Sequence, residues 1–308
     1  MGNKDIINHF DISEKYVINL HILEACNFKC KYCFAHFDFM NMLPVSTWKT
    51  IVDNISSSIN VKRFNLAGGE PLLYPNLQEL IYYIKEKGFE VSIITNGFLL
   101  TDEFIKRNKG VIDCIGISVD SFDTNTLLNL NCKTSKGEIL SRDRLLNICK
   151  LINDCNIKLK INTVVTKLNY KEDLSPVLKD IKIDRWKILK MKLYTDCGFD
   201  NSDLDITMDE FRYFVKTHEN LIPNTVVEDS LKNSYICSLV CAHTYAHHNR
   251  KLITIYTMNT KLLKQDLAEG YSSPYVEVIH IKNEGVLCGS FEGAQIPGYG
   301  DEDVWADD

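Results

Sequence analysis

The sequence predicts an α/β fold: a partial (β/α)6, TIM-like barrel with parallel strands inside and helices outside, followed by a divergent C-terminal segment. Three observations predict it. Strand-like and helix-like stretches alternate from about residue 15 to residue 193, and such alternation implies right-handed crossovers and a parallel sheet. The alternation supplies six units, too few for a closed eightfold barrel. Residues able to carry chemistry also gather just after the predicted strands, on the rim where such folds place their sites.

Each element has its own signal. Apolar, β-rich runs at 16–23, 63–67, 90–95, 111–119, 158–165 and 185–193 predict strands. Helical periodicity at 47–58, 76–87, 102–109 and 143–154 predicts intervening helices. A further helix is predicted over 208–220, with Thr207 as its N-cap. The character changes near Ile236. Residues 237–257 fit neither period, and the chain ends in the Gly-rich acidic string GYGDEDVWADD. The expected organisation is a core over 1–236 and a separate, weakly structured or fused segment over 237–308.

The chain has 308 residues, 45% hydrophobic and 25% charged. This is globular composition, and it excludes a collagen-like or largely disordered chain. The net charge is −6, concentrated late: residues 237–308 hold 10 acidic and 5 basic residues. The nearly neutral core lacks the basic footprint of a nucleic-acid binder. Charged residues interrupt every apolar run, so no membrane span is expected. The polar N-terminus does not resemble a secretory signal, and a cytoplasmic location is expected. In that compartment 11 cysteines point to metal or redox chemistry rather than disulfides.

The strongest motif is Cys26-Asn-Phe-Lys-Cys30-Lys-Tyr-Cys33, directly after the first predicted strand. Three thiolates on one short loop can ligate three corners of a cubane iron–sulfur cluster. Zinc competes, with His36 as a possible fourth ligand. Gly68-Gly69-Glu70-Pro71 follows the second strand; two glycines let backbone approach a ligand closely, and Glu70 can accept from an ammonium. Alone, such a stretch is also a common turn. Thr95 and Asn96 follow the third strand, and Ser118 and Asp120 close the fourth. Each could hold ribose hydroxyls or simply cap a strand.

Lys160 and Asn162 lie two apart on a predicted strand and share a face, while Leu159, Ile161, Thr163 and Val165 share the other. Arg185 and Lys187 repeat the pattern on the next strand. Three cations turned into a barrel are costly unless an anion arrives. A triphosphate would supply one, with Arg185 offering bidentate geometry and the lysines point charges. The alternative is a solvated edge. Cys114, Cys149 and Cys155 are expected in the core. His36, His218, His247 and His248 are expected at the surface or behind the site.

With these residues in place, the sequence resembles the radical S-adenosylmethionine (SAM) superfamily. The resemblance implies a barrel of the radical SAM type with a [4Fe–4S] cluster on Cys26, Cys30 and Cys33 and SAM on the open iron. Glu70 would face the SAM amino group and Tyr32 the adenine, with Gly68, Gly69, Thr95, Asn96, Ser118 and Asp120 completing the cofactor site. Reductive cleavage would give methionine and a 5′-deoxyadenosyl radical, with a reductase, flavodoxin or ferredoxin as electron donor.

Within the superfamily the chain is similar to the prokaryotic viperins over most of 15–236, through ACNFKCKYCF, NLAGGEP, ISVDSFD, KINTVV, DRWKI and LKNSYI. That family converts a nucleoside triphosphate to its 3′-deoxy-3′,4′-didehydro form, a terminator of viral RNA synthesis. The resemblance implies Lys160, Asn162, Arg185 and Lys187 as substrate residues and Tyr235 as a late hydrogen or electron donor. It also points to a family position at Asn169, which could equally be a turn residue. After Ile236 the resemblance stops. A radical SAM peptide or metabolite modifier is the alternative, with the acidic tail as a fused substrate.

Overall fold

The computed structural model describes residues 15–33, 41–193, 200–219, 221–222, 224–228, 243–248, 251–257 and 276–280. In chain order the first elements are β1 (Tyr16–His21), β2 (Leu23–Glu24), β3 (Asn41–Met42), α1 (Val45–Ser58), β4 (Val61–Ala67) and α2 (Leu77–Glu86). Then come β5 (Glu90–Thr95), α3 (Asp102–Arg107), β6 (Cys114–Ser118), α4 (Thr124–Asn129), α5 (Arg142–Asp154), β7 (Lys158–Val165) and α6 (Ser175–Leu178). The chain continues through β8 (Arg185–Lys190), α7 (Met208–Thr217), β9 (Thr225–Glu228), β10 (His243–His248), β11 (Lys251–Thr257) and β12 (Val276–His280).

One sheet runs in the order β12-β11-β10-β1-β4-β5-β6-β7-β8-β9. The stretch from β1 to β9 is parallel throughout and curls into a partial barrel. The expected α/β class and its six βα strands are present, and β9 adds a seventh parallel strand that the sequence did not announce. Of residues 237–308, expected to be a weakly structured or fused segment, the described residues are β10, β11 and β12, and β10 pairs antiparallel with β1. That pairing covers what would otherwise be an open parallel edge.

Alternation along the strands separates two environments. Ile18, Leu20, Phe64, Leu66, Ile93, Ile115, Ile117, Leu159, Ile161 and Trp186 are fully buried under the helices. The helices answer with Ile51, Val52 and Ile55 of α1, Leu80, Ile81 and Ile84 of α2, and Ile148, Cys149 and Ile152 of α5. Each such side chain withdrawn from water contributes about 1.5–3 kcal/mol. Cys114, Cys149 and Cys155 are buried as expected. The inner face is polar by contrast: Asn65 Nδ2 donates to Asn19 Oδ1 at 2.6 Å and Ser92 Oγ to Asn65 Oδ1 at 2.8 Å.

The differences from the expected elements have local causes. The first strand stops at His21 because Leu23 and Glu24 leave the sheet to pair with β3. The fourth begins only at Cys114, since the N–H groups of Val111 and Ile112 both return to Asn108 O and close α3. Thr207 caps α7 as predicted, in a reciprocal box with Glu210. Short α4 escaped detection because none of its residues is buried, so it carries no apolar stripe.

His218 corrects an expectation. It is not at the surface: its side chain is fully buried, Nδ1 lies 2.7 Å from Phe214 O, and Nε2 accepts from Leu174 N at 2.9 Å. Accepting at Nε2 places the proton on Nδ1. Burial lowers its pKa below the usual value. The unfolded chain therefore binds this proton first as pH falls, so the stabilising contribution is full above about pH 6.5 and is lost below it. Urea midpoints should drop between pH 7.5 and 5.5, and His218→Gln, weaker at pH 7.5, should show a smaller drop.

Candidate active site

The site is built where β1 ends. After Glu24 the chain turns into the cysteine loop, and the segment after β4 is laced against it: Gly69 N donates to Leu23 O at 3.1 Å and Glu70 N to Ala25 O at 2.7 Å. The approach leaves no room for a side chain. A Cβ on Gly69 would fall 2.0 Å from Ala25 O, and one on Gly68 would fall 2.6 Å from Leu23 O at a backbone φ of +140°. Both positions therefore require glycine on steric grounds.

Cys26, Cys30 and Cys33 are half-buried. Cys33 N donates to Cys30 O at 3.0 Å, so these two project from one turn. The Cys26 sulfur has two N–H donors, Phe28 N at 3.4 Å and Asn96 Nδ2 at 3.8 Å. Such donors suit a metal-bound thiolate. Burial pushes the Cys26 thiol up to about 11. A hydrogen bond with Cys132, then burial, holds Cys30 well above its ordinary range. Unligated Cys26 and Cys30 are therefore thiols at neutral pH, and metal binding there must release protons. Among the described residues no three metal-ligating side chains stand together as a ready-made metal site; what fits an iron–sulfur cluster is the chemistry of the donor set, three sulfurs on one loop with N–H donors aimed at one of them, beside apolar Phe28, Phe98 and Met191. His36, the alternative fourth ligand, lies outside the described residues.

Glu70 is completely buried. Its Oε1 accepts from Thr95 Oγ1 at 2.6 Å and Leu72 N at 3.2 Å, and its Oε2 from Asn96 N at 2.8 Å. Burial raises its pKa to about 7, against the pull of these three donors. Thr95 and Asn96 are thereby fixed beside the cysteine loop, with Asn96 Nδ2 also donating to Asn27 Oδ1 at 2.8 Å. Asp120 is buried too. It receives the Tyr32 hydroxyl on Oδ2 and Val164 N on Oδ1 at 2.7 Å. Burial carries its pKa to about 6 and pushes the Tyr32 phenol well above its ordinary value. Both groups expected at the nucleoside of SAM are thus bonded to each other. Ser118 is half-buried at the end of β6.

Asn169 is a turn residue: its Oδ1 accepts from Thr166 N, and its Nδ2 donates to Asp120 O and Val164 O. Cys132, which the motif search passed over, packs under the loop, with its sulfur 3.7 Å from the Tyr32 oxygen. Nothing in local spacing announces it, because it arrives from a different connection. His21, also missed, ends β1 on the inner face, where burial lowers it to about 4 and keeps it neutral.

Deeper in the barrel, β7 shows strict alternation, with Lys160 and Asn162 half-buried and Leu159, Ile161 and Thr163 buried on the other face. Register places Gly116, Lys160 and Arg185 in one row across β6, β7 and β8, and Ser118, Asn162 and Lys187 in the next. The two pairs share the inner face as the sequence predicted. Two details differ. Arg185 is exposed at the start of its strand. Lys187 already has a counter-ion, Glu228 Oε2, at 2.7 Å. Burial, followed by repulsion from Lys187 and Arg185, lowers Lys160 to about 8. Tyr235 lies outside the described residues.

The radical SAM superfamily model matches residues 20–181. A protein of Selenomonas ruminantium named S-adenosylmethionine-dependent nucleotide dehydratase is 41% identical over 225 residues, covering 72% of this chain and 82% of that protein. Among solved structures, Streptococcus suis SuiB bound to S-adenosylmethionine aligns with a TM-score of 0.57 at 22% identity, over 71% of this chain and 52% of SuiB. Native anSMEcpe with bound AdoMet and a peptide aligns with a TM-score of 0.58 at 19% identity, over 74% of this chain and 73% of that one. At these identities the two structures speak for the fold alone. The chain belongs to the radical SAM superfamily, and within it to the same family as the Selenomonas protein. No helix among the described residues is long and apolar enough to cross a membrane.

The backbone contact at Gly69 yields a test. Gly69→Ala should lose bound iron and acid-labile sulfide after anaerobic reconstitution, while Gly88→Ala, strained at its φ of +87° but at an exposed turn with nothing within 4 Å of the new Cβ, should lose some stability and retain both.

Proposed function

We propose that this chain dehydrates a nucleoside triphosphate to its 3′-deoxy-3′,4′-didehydro form, a chain terminator suited to antiviral defence, with a reductase, flavodoxin or ferredoxin donating the electron. The observation that carries the substrate class is the shared face of Lys160, Arg185 and Lys187 in two neighbouring rows of adjacent strands, with Lys160 and Lys187 half-buried, below the rim that bears the cysteines. Lys160 has no carboxylate at ion-pair distance among the described residues. The Selenomonas relative, named as a nucleotide dehydratase, supports the same reaction class.

In this proposal Cys26, Cys30 and Cys33 hold a [4Fe–4S] cluster, and the segment from Gly68 to Glu70 brings backbone close to the bound cofactor. Tyr32, Thr95, Asn96, Ser118 and Asp120 shape the SAM side of the cavity. When bound, the cluster and SAM supply a radical able to take a hydrogen atom from the substrate ribose. Lys160, Asn162, Arg185 and Lys187 bind the polyphosphate, which fixes the sugar beneath the cofactor and so converts affinity into orientation. Tyr235 is assigned the late hydrogen or electron delivery.

Anaerobic incubation with SAM, dithionite and each nucleoside triphosphate, read by mass spectrometry, should give a nucleotide lighter by one water. Rapid 5′-deoxyadenosine release with all nucleotides unchanged would remove the proposal. Cys30→Ala should abolish 5′-deoxyadenosine release. Lys160→Ala should keep slow, uncoupled SAM cleavage but lose its stimulation by nucleotide.

Lys160 also gives a pH test. Charged below about 8 and neutral above it, it should let nucleotide affinity fall as pH rises through that value. Lys160→Arg, which stays charged, should bind with an affinity flat from pH 7 to 9.

A further inference from the structure

Glu228 ends β9, the strand the sequence did not reveal, and carries the one carboxylate found paired with the inner cationic row among the described residues. It stands opposite Leu189 in the β8–β9 register, diagonal to Lys187. The Lys187 ammonium lies 2.7 Å from Glu228 Oε2, and the side chains are only 14% and 12% exposed. That oxygen has no aligned hydrogen-bond donor among the described residues. The two form a close contact ion pair, nearly out of water. Such a pair is costly to bury and costlier to break without replacement. Lys187 needs an anion at all times, and Glu228 supplies one that a better-placed anion can displace.

We propose that Glu228 is a resident counter-ion for the phosphate pocket: it occupies the Lys187 ammonium until a polyphosphate arrives, then competes with it, setting how much negative charge a ligand needs to bind. This rests on the triphosphate assignment made above. The competition has a use, because a dehydrated nucleotide keeps all its phosphates and must still leave. Three cations with no resident carboxylate would hold substrate and product alike. The effect grows with ligand charge, since repulsion between Glu228 and a phosphate chain scales with the charge on that chain.

The test uses the full chain and two simple probes, inorganic tripolyphosphate and orthophosphate, titrated by calorimetry at low and moderate salt. Glu228→Gln should bind tripolyphosphate tighter by on the order of tenfold at low salt, with a smaller gain as salt screens it and a lesser gain for orthophosphate. In a Lys187→Met background the same change should lose most of its effect, which separates competition for that ammonium from a general shift in field. Glu228→Asp, whose shorter carboxylate reaches Lys187 less closely, should fall between wild type and Glu228→Gln, and it serves if the Gln variant fails to fold. Wild-type or weaker affinity in a folded Glu228→Gln or Glu228→Asp variant overturns the inference, as does an undiminished gain in the Lys187→Met background. Wild-type protein that binds no tripolyphosphate instead overturns the triphosphate assignment itself.

Discussion

The contact on which the site depends is a backbone-to-backbone one. The segment after β4 lies so close to the segment after β1 that its glycine leaves no space for even a methyl group, and two main-chain hydrogen bonds close the gap. This lacing determines where the cysteine loop begins. It also fixes the direction of Glu70, whose buried carboxylate then gathers Thr95 and the Asn96 amide from the next strand. Asn96 in turn points its side-chain amide at the Cys26 sulfur. Three successive strand ends are thus joined by one continuous chain of bonds leading to the proposed metal loop.

The barrel interior is organised by the alternation of β structure. Apolar residues go outward beneath helices, so whatever occupies the other positions must face inward together. At β4 and β5 those positions hold Asn65 and Ser92, which bond one another, and Arg63, which pairs with Glu90 in the same register. At β7 and β8 they hold cations, and among the described residues only part of that charge is met by a carboxylate at ion-pair distance.

Much of this was legible before any coordinates. The cysteine spacing, the paired glycines, Thr207 as a cap and the facing of Lys160 with Asn162 all follow from short-range pattern, and all lie where that pattern put them. What escaped shares a different trait. Glu228, Cys132 and the buried side of His218 acquire their meaning from partners far away in the chain, reached only when β9 docks on β8, when the connection after α4 folds under the loop, and when α7 packs on Trp186. Strands of four residues and helices without a buried face also give no periodic signal. Asp120 shows the converse: its strand-end position was correct, yet its oxygens are taken by Tyr32 and Val164.

The cysteine loop is braced a second time from outside the rim. Asn131 Nδ2 donates to Lys29 O at 2.6 Å, and Lys31 N to Leu130 O at 2.9 Å. Asn131 sits at φ 57°, a left-handed turn that asparagine tolerates better than most residues. The shelf beneath the thiols is therefore made by a connection remote from them in sequence. A change of length in this connection would shift the floor of the loop without altering a single sulfur.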